Sequence, residues 1–210
     1  RIWPVILSSL KGPTKEAIDP TSRLTGTAGI GIQATNGDNY NNASTDLTIT
    51  STALVTGTIG GIIANNKGSG KTTVNSASVT GTAYGSVGIG ATGSGTDIVV
   101  SATGPVSAQS IGISTRNLGK GSTIIIATSV TGTNVDGIAA LNTIGTTDLT
   151  ITATGLVMGG SAGIDANNNG TGDLTINTAA VTGLGRQGMD ALNSSFCKGL
   201  SRTATGEVNG

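Results

Sequence analysis

Residues 163–183 read Gly163-Ile164-Asp165-Ala166-Asn167-Asn168-Asn169-Gly170-Thr171-Gly172-Asp173-Leu174-Thr175-Ile176-Asn177-Thr178-Ala179-Ala180-Val181-Thr182-Gly183, and this stretch decides the fold. It holds three short segments of period-two alternation. Ile164 and Ala166, then Leu174 and Ile176, then Val181 share one side of an extended chain, while Asp165, Asp173 and Thr175 take the other. Asn, Gly and Thr supply the turns between them.

The stretch recurs. Gly-Ile appears at Gly31-Ile32, Gly61-Ile62, Gly88-Ile89, Gly112-Ile113, Gly137-Ile138 and Gly163-Ile164, with Gly188-Met189 as a seventh copy. Asp-Leu-Thr-Ile begins at Asp46, Asp148 and Asp173, with weaker copies in residues 71–74, 97–100 and 123–126. Val-Thr-Gly begins at Val55, Val79, Val130 and Val181, varied at Val106 and Val157, and Leu24-Thr25-Gly26 is its first copy. A period near 25 residues with fixed marker order signals a repeat architecture in which each unit covers the next. Helix is disfavoured, because β-branched residues dominate and Gly interrupts throughout. The expected fold is therefore all-β: a parallel, right-handed β-helix of about seven coils, forming a rod of roughly 34 Å. Residues 24–193 form the repeats, residues 1–23 a non-repeat leader or N-terminal cap, and residues 194–210 a degenerate last coil or a disordered tail.

Stacking turns each repeat position into a column. Ile32, Ile62, Ile89, Ile113, Ile138, Ile164 and Met189 form one, and Ala34, Ala64, Ala91, Thr115, Ala140, Ala166 and Ala191 another. A third is Val55, Val79, Val106, Val130, Val157 and Val181. Asn36, Asn66, Asn117, Asn142, Asn168 and Asn193 make a fourth, broken at Gly93. Asn tolerates left-handed backbone and can bond to the amide above and below, so a structural turn ladder is expected there.

Composition agrees with a narrow stack. Gly and Thr each number 35 of 210 residues, aromatics are 2%, and 11 Lys plus Arg balance 11 Asp plus Glu. The absence of His excludes Ser-His-Asp and Cys-His catalysis. The single Cys197 excludes an internal disulfide framework, and without His it leaves no usual zinc site. No metal and no cofactor is expected.

The pattern Gly-Ile-x-Ala-x-Asn, then Gly-x-Gly-Asp-Leu-Thr-Ile, then Val-Thr-Gly resembles the passenger regions of bacterial autotransporters and related β-helical surface adhesins, over residues 24–193. The resemblance implies a non-catalytic passenger or stalk at the bacterial cell surface or secreted. It also implies a C-terminal β-barrel translocator in the parent chain, for which this sequence has no room, and a host-surface, matrix or cell–cell ligand. Residues 2–10 are apolar but too short to support a signal peptide or membrane span.

The sequence also bears on other chemistries. Gly68-Ser69-Gly70-Lys71-Thr72 ends like a phosphate-binding loop, but Asn65 stands where its first Gly belongs. Asp165 with Asp190, and Asp148 with Asp173, occupy equivalent outward positions in adjacent coils and could serve a polysaccharide lyase or hydrolase. Outward Thr48, Thr50, Thr150, Thr152 and Thr175 suggest an ice-binding lattice, although the assigned register puts Val99 and Ile125 in the same column. Two insertions, residues 37–44 and 82–87, present Tyr40, Asn41, Asn42 and Tyr84 as possible interaction residues. Nucleic acid is not expected, since residues 24–185 carry seven acidic and four basic residues. No small-molecule substrate is expected either.

Overall fold

The computed structural model describes residues 5–10, 16–18, 24–26, 29–37, 46–194 and 198–210. Among these there is no helix; every element is a strand, and every strand pair is parallel. The chain is a β-solenoid with three strands to the coil.

Face A stacks Val5–Leu10, Ile30–Asn36, Gly60–Asn66, Val87–Gly93, Ile111–Asn117, Ile138–Asn142, Ile164–Asn168 and Met189–Asn193 in that order. Face B runs through Glu16–Ile18, Leu47–Ser51, Thr72–Ser76, Ile98–Ala102 and Thr123–Ala127, and face C through Leu24–Gly26, Val55–Gly57, Val79–Gly81, Val106–Ala108 and Val130–Gly132. Two long strands, Leu149–Gly159 and Leu174–Gly183, turn the corner between B and C and join them into one sheet. Six coils between Ile30 and Gly183 are complete. Beyond them Leu200–Ala204 and Val208–Asn209 pair with Leu174–Gly183, and three short strands before Ile30 extend the other end.

The interior follows from alternation. Ile32, Ile62, Ile89, Ile113, Ile138 and Ile164 are fully buried, as are Val55, Val79, Val130, Val157 and Val181. Stacking like on like keeps every coil the same width, and the small second column (Ala34, Ala64, Ala91, Ala140, Ala166) keeps face A close to its neighbours. The Gly of each Gly-Ile pair has a steric cause. A Cβ on Gly31, Gly61, Gly88, Gly112, Gly137 or Gly163 would fall within 2.8 Å of a Cγ1 of the Val column. Faces A and C meet there too closely for any side chain.

Face B requires one correction to the expected register. Thr123 pairs with Leu149, Ile124 with Thr150, Ile125 with Ile151 and Ile126 with Thr152. In this coil the marker is therefore displaced by one residue: Ser122, not Thr123, takes the Asp position, Ile125 and Ala127 are buried, and Ile124 and Ile126 face out. A run of three isoleucines satisfies either alternation, and the sequence alone offers no break of symmetry. Thr123 also tips the balance, because its inward hydroxyl donates to Asn142 Oδ1 at 2.6 Å.

Candidate functional site

The Asn column is stacked in register from Asn36 to Asn193, with Gly93 between Asn66 and Asn117. Asn36, Asn66, Asn117, Asn142 and Asn168 are buried to 1% exposure or less. Their amides bond to the turn that follows each strand. Asn117 Nδ2 donates to the carbonyls of Gly121, Ser122 and Thr96, and its Oδ1 accepts from the Gly119 amide at 2.9 Å. Asn66 does the same with Gly70, Lys71 and the Gly68 amide, and Asn168 with Gly172, Asp173 and the Gly170 amide. This column thus folds the A–B corner from within. The Asn residues themselves are not left-handed: among the described residues, positive φ occurs only at Gly37, Gly85 and Gly145, of which Gly37 and Gly145 lie in A–B corners.

The outward carboxylates at the start of face B are also engaged in the fold. Asp46 Oδ1 accepts from the Lys71 amide at 2.8 Å, Asp97 Oδ1 from the Ser122 amide at 2.9 Å, and Asp148 Oδ1 from the Asp173 amide at 2.7 Å. Each carboxylate reaches up one coil and satisfies the amide just before the face B strand there, a charge-assisted bond. The Gly68 and Lys71 amides of the loop at residues 68–71 are taken up by Asn66 and Asp46, and the segment after it, Thr72–Ser76, is a strand. It offers no cradle of free amides at a helix start, the geometry that phosphate binding needs.

A second acidic row lies at the C-terminal end of face A. Asp165 is paired with Asp190, and Asp136 is close by at the preceding corner, bonded through Oδ1 to the Ala162 amide at 3.1 Å. Partial burial raises the Asp165 carboxyl above its ordinary range; repulsion from Asp136 and Asp190 adds to this, and Arg186 opposes it. Arg186 forms an exposed ion pair with Asp190 at 3.1 Å. Beside Asp165 is a shallow, open hollow of about 300 Å³, lined by Ser114, Arg116, Ala139, Leu141 and Asn167. No group of three or more His, Cys, Asp or Glu among the described residues is placed to hold a metal ion.

Tyr84 is 88% exposed. It sits at the tip of a four-residue turn closed by the Ser86 amide on the Ala83 carbonyl, with Gly85 at φ 81° in the third position, as a type II turn requires. The turn is anchored to both neighbouring coils, by the Ala83 amide on Thr58 and by Ser86 Oγ accepting from Gln109. Tyr40, Asn41 and Asn42 lie outside the described residues, as does Cys197.

The feature that sequence reasoning misjudged is the outer surface of face B. With the register corrected, its two outward columns read Thr48/Thr50, Thr73/Asn75, Val99/Ser101, Ile124/Ile126, Thr150/Thr152, Thr175/Asn177 and Ser201/Thr203. None of these fourteen residues is charged.

The geometry defines a parallel β-solenoid protein. Comparison with family models, with curated proteins and with solved structures finds no match to the chain.

Proposed function

We propose that this chain is a non-catalytic stalk or adhesive segment of a bacterial cell-surface or secreted protein, of the kind borne by autotransporters. The observation that supports this reading most is where the polar groups are spent. The buried amides fold the A–B corner, and Asp46, Asp97, Asp136 and Asp148 bond to backbone amides of the following coil. A rod built this way gains rigidity and long flat faces. An exposed Tyr84 on an anchored turn is suited to contact with a partner, since a rigid aromatic loses little entropy on binding.

The opposing reading is a polysaccharide-active enzyme using Asp165 and Asp190. An acid–base pair needs one carboxyl held neutral and the other ionised, and the raised Asp165 beside an Arg-paired Asp190 has that outline. The pair nevertheless lies on an open surface, without a cleft to hold a chain or exclude water. Two experiments test the proposal. The purified chain, immobilised on beads, is expected to retain matrix-coated or cell surfaces, with Tyr84→Ala weakening retention. A screen against pectins and related glycans is expected to show no turnover; turnover abolished by Asp165→Asn or Asp190→Asn would refute the proposal. In the parent gene, a C-terminal barrel-coding region is expected downstream.

A further inference from the structure

We infer that the hollow beside Asp165 on the outer surface of face A is a binding site for one neutral sugar unit, with an N-acetylated hexosamine as its best-fitting ligand. The inference stands on the hollow itself and does not depend on the stalk or adhesive role proposed above.

Three observations carry it. First, the register makes the hollow. Outward on three successive coils of face A stand Ser114/Arg116, Ala139/Leu141 and Asp165/Asn167. The single methyl of Ala139 separates Ser114 from Asp165, and the two polar rows are roughly 10 Å apart. The space left is about 300 Å³, at the small end of ligand sites and suited to one unit rather than a chain. Second, the polar groups around it are unspent. Asp46, Asp97, Asp136 and Asp148 each bond to a backbone amide of the following coil. The side chains of Ser114, Arg116, Asp165 and Asn167 have neither a hydrogen-bond nor an ion-pair partner among the described residues. Asn167 Oδ1 is nevertheless buried, and a buried acceptor without a donor is costly. Third, a more apolar hollow of about 450 Å³ adjoins the first at Leu141, where Ile144 stands 89% exposed.

The chemistry of the walls selects the ligand. One guanidinium and one carboxylate balance each other across the hollow, which favours a neutral ligand over an anion or a cation. That ligand must donate to Asp165 and to Asn167 Oδ1, accept from Arg116, and lay an apolar side on Ala139 and Leu141. Neighbouring hydroxyls meet the polar demands together, because each both donates and accepts. A carboxylate takes two such hydroxyls, and the fork of a guanidinium reaches two adjacent oxygens. A sugar ring carries these hydroxyls around its edge and presents C–H groups on its faces. An acetamido group extending past Leu141 sets its methyl in the adjoining hollow, against Ile144. Both hollows are open and shallow, so the site binds without cleaving, and the dissociation constant is expected to be about 1–10 mM.

Amide chemical-shift titration of the 210-residue chain with N-acetylglucosamine, glucose and glycine, each to about 50 mM, tests this. N-acetylglucosamine is expected to shift the amides of residues 114–116, 139–141 and 165–167 saturably, glucose to shift the same set more weakly, and glycine to shift none. Two variants use residues that the same columns already carry elsewhere, so the fold accommodates them. Ala139→Ile copies Ile63 and fills the hollow without altering its charge, and Asn167→Leu copies Leu141 and Leu192 and removes the orphaned acceptor. Each is expected to raise the dissociation constant at least about tenfold while the remaining amide spectrum stays unchanged. Gln33→Ala, in the column of Ala139 but outside the hollow, is expected to leave binding intact. Silence toward both sugars at the highest concentration would overturn the inference. So would sugar binding of full strength in Ala139→Ile, or shifts caused by glycine with the sugars silent, which would assign the hollow to a zwitterion instead.

Discussion

Faces A and B obey the same alternation, yet their outer surfaces have little in common. Outward on face A the successive pairs are Gln33/Thr35, Ile63/Asn65, Gly90/Thr92, Ser114/Arg116, Ala139/Leu141, Asp165/Asn167 and Asp190/Leu192, and no residue type persists. Outward on face B, Thr fills half of the fourteen places, and the rest are Ser, Asn, Val or Ile, with no charge among them. Inside, by contrast, both faces repeat Ile, Leu, Val or Ala, with a few small polar residues, coil after coil. The difference shows which regularities the fold requires. A buried column must repeat because each side chain packs against its own kind above and below. An outward column is under no such constraint, as face A demonstrates, so the uniformity of face B calls for a cause outside the stack. Thr in a strand has good β-propensity, but propensity alone would act on face A as well.

Five substitutions break or sharpen this contrast, in decreasing order of effect, with Ile63→Ala as the control for the first. Ile113→Ala removes a fully buried member of the first column and is expected to cost about 2–5 kcal/mol in denaturant unfolding. An outward change of equal size, Ile63→Ala on face A, is expected to cost less than about 1 kcal/mol. If the two costs proved equal, the division between inside and outside would fail. Asn117→Ala removes four bonds at the A–B corner and leaves the Gly119 amide without its acceptor, for an expected cost of about 2–3 kcal/mol. Thr115→Val works in the opposite direction. Thr115 stands in the Ala column with its hydroxyl buried and unpartnered, and a side chain of the same shape without that hydroxyl is expected to stabilise by about 1 kcal/mol.

The smallest effect belongs to the acidic end of face A. The folded chain holds the Asp165 proton more tightly than the unfolded chain. The stability linked to that proton is complete below the ordinary carboxylate pKa and is lost as pH rises through the raised, folded value. Asp165→Asn is therefore expected to stabilise at pH 7 by less than about 0.5 kcal/mol, because solvent screens the site, and to change nothing near pH 3. Thermal unfolding at the two pH values checks both statements. A gain at low pH alone would reverse the assignment.

Much of this architecture was legible from the residues because the repeat supplies its own alignment. Gly-Ile, Val-Thr-Gly and the Asn column recur often enough that one coil reports on the next, and the inward columns follow from alternation. Legibility failed where a coil lacks a marker of its own. In residues 122–127, Ser-Thr-Ile-Ile-Ile-Ala has no Asp-Leu pair and its isoleucines fit both phases, so the inner and outer sets were exchanged. Hydrogen bonding was less accessible still. The sequence shows that Asn recurs, but whether its amide reaches along the stack or into its own turn depends on the depth of the corner. The carboxylate-to-amide bonds between coils escaped for a similar reason: their distance in sequence is 25 residues. The period of the Gly-Ile markers could have revealed them, since it brings Asp46 and Lys71, or Asp148 and Asp173, into successive coils.

The register of the strand Thr123–Ala127 is the central claim, because the stack's inner columns and the face B surface both depend on it. It is tested most directly by thiol labelling of the folded chain with a single Cys at position 124, 125 or 126, each in a Cys197→Ser background. Cysteines at 124 and 126 are expected to react at rates near that of an exposed thiol, with 126 the faster, while the cysteine at 125 reacts only on unfolding. Rapid labelling at 125, with protection at 124 and 126, would contradict the account and restore the alternation that places Ile125 outside.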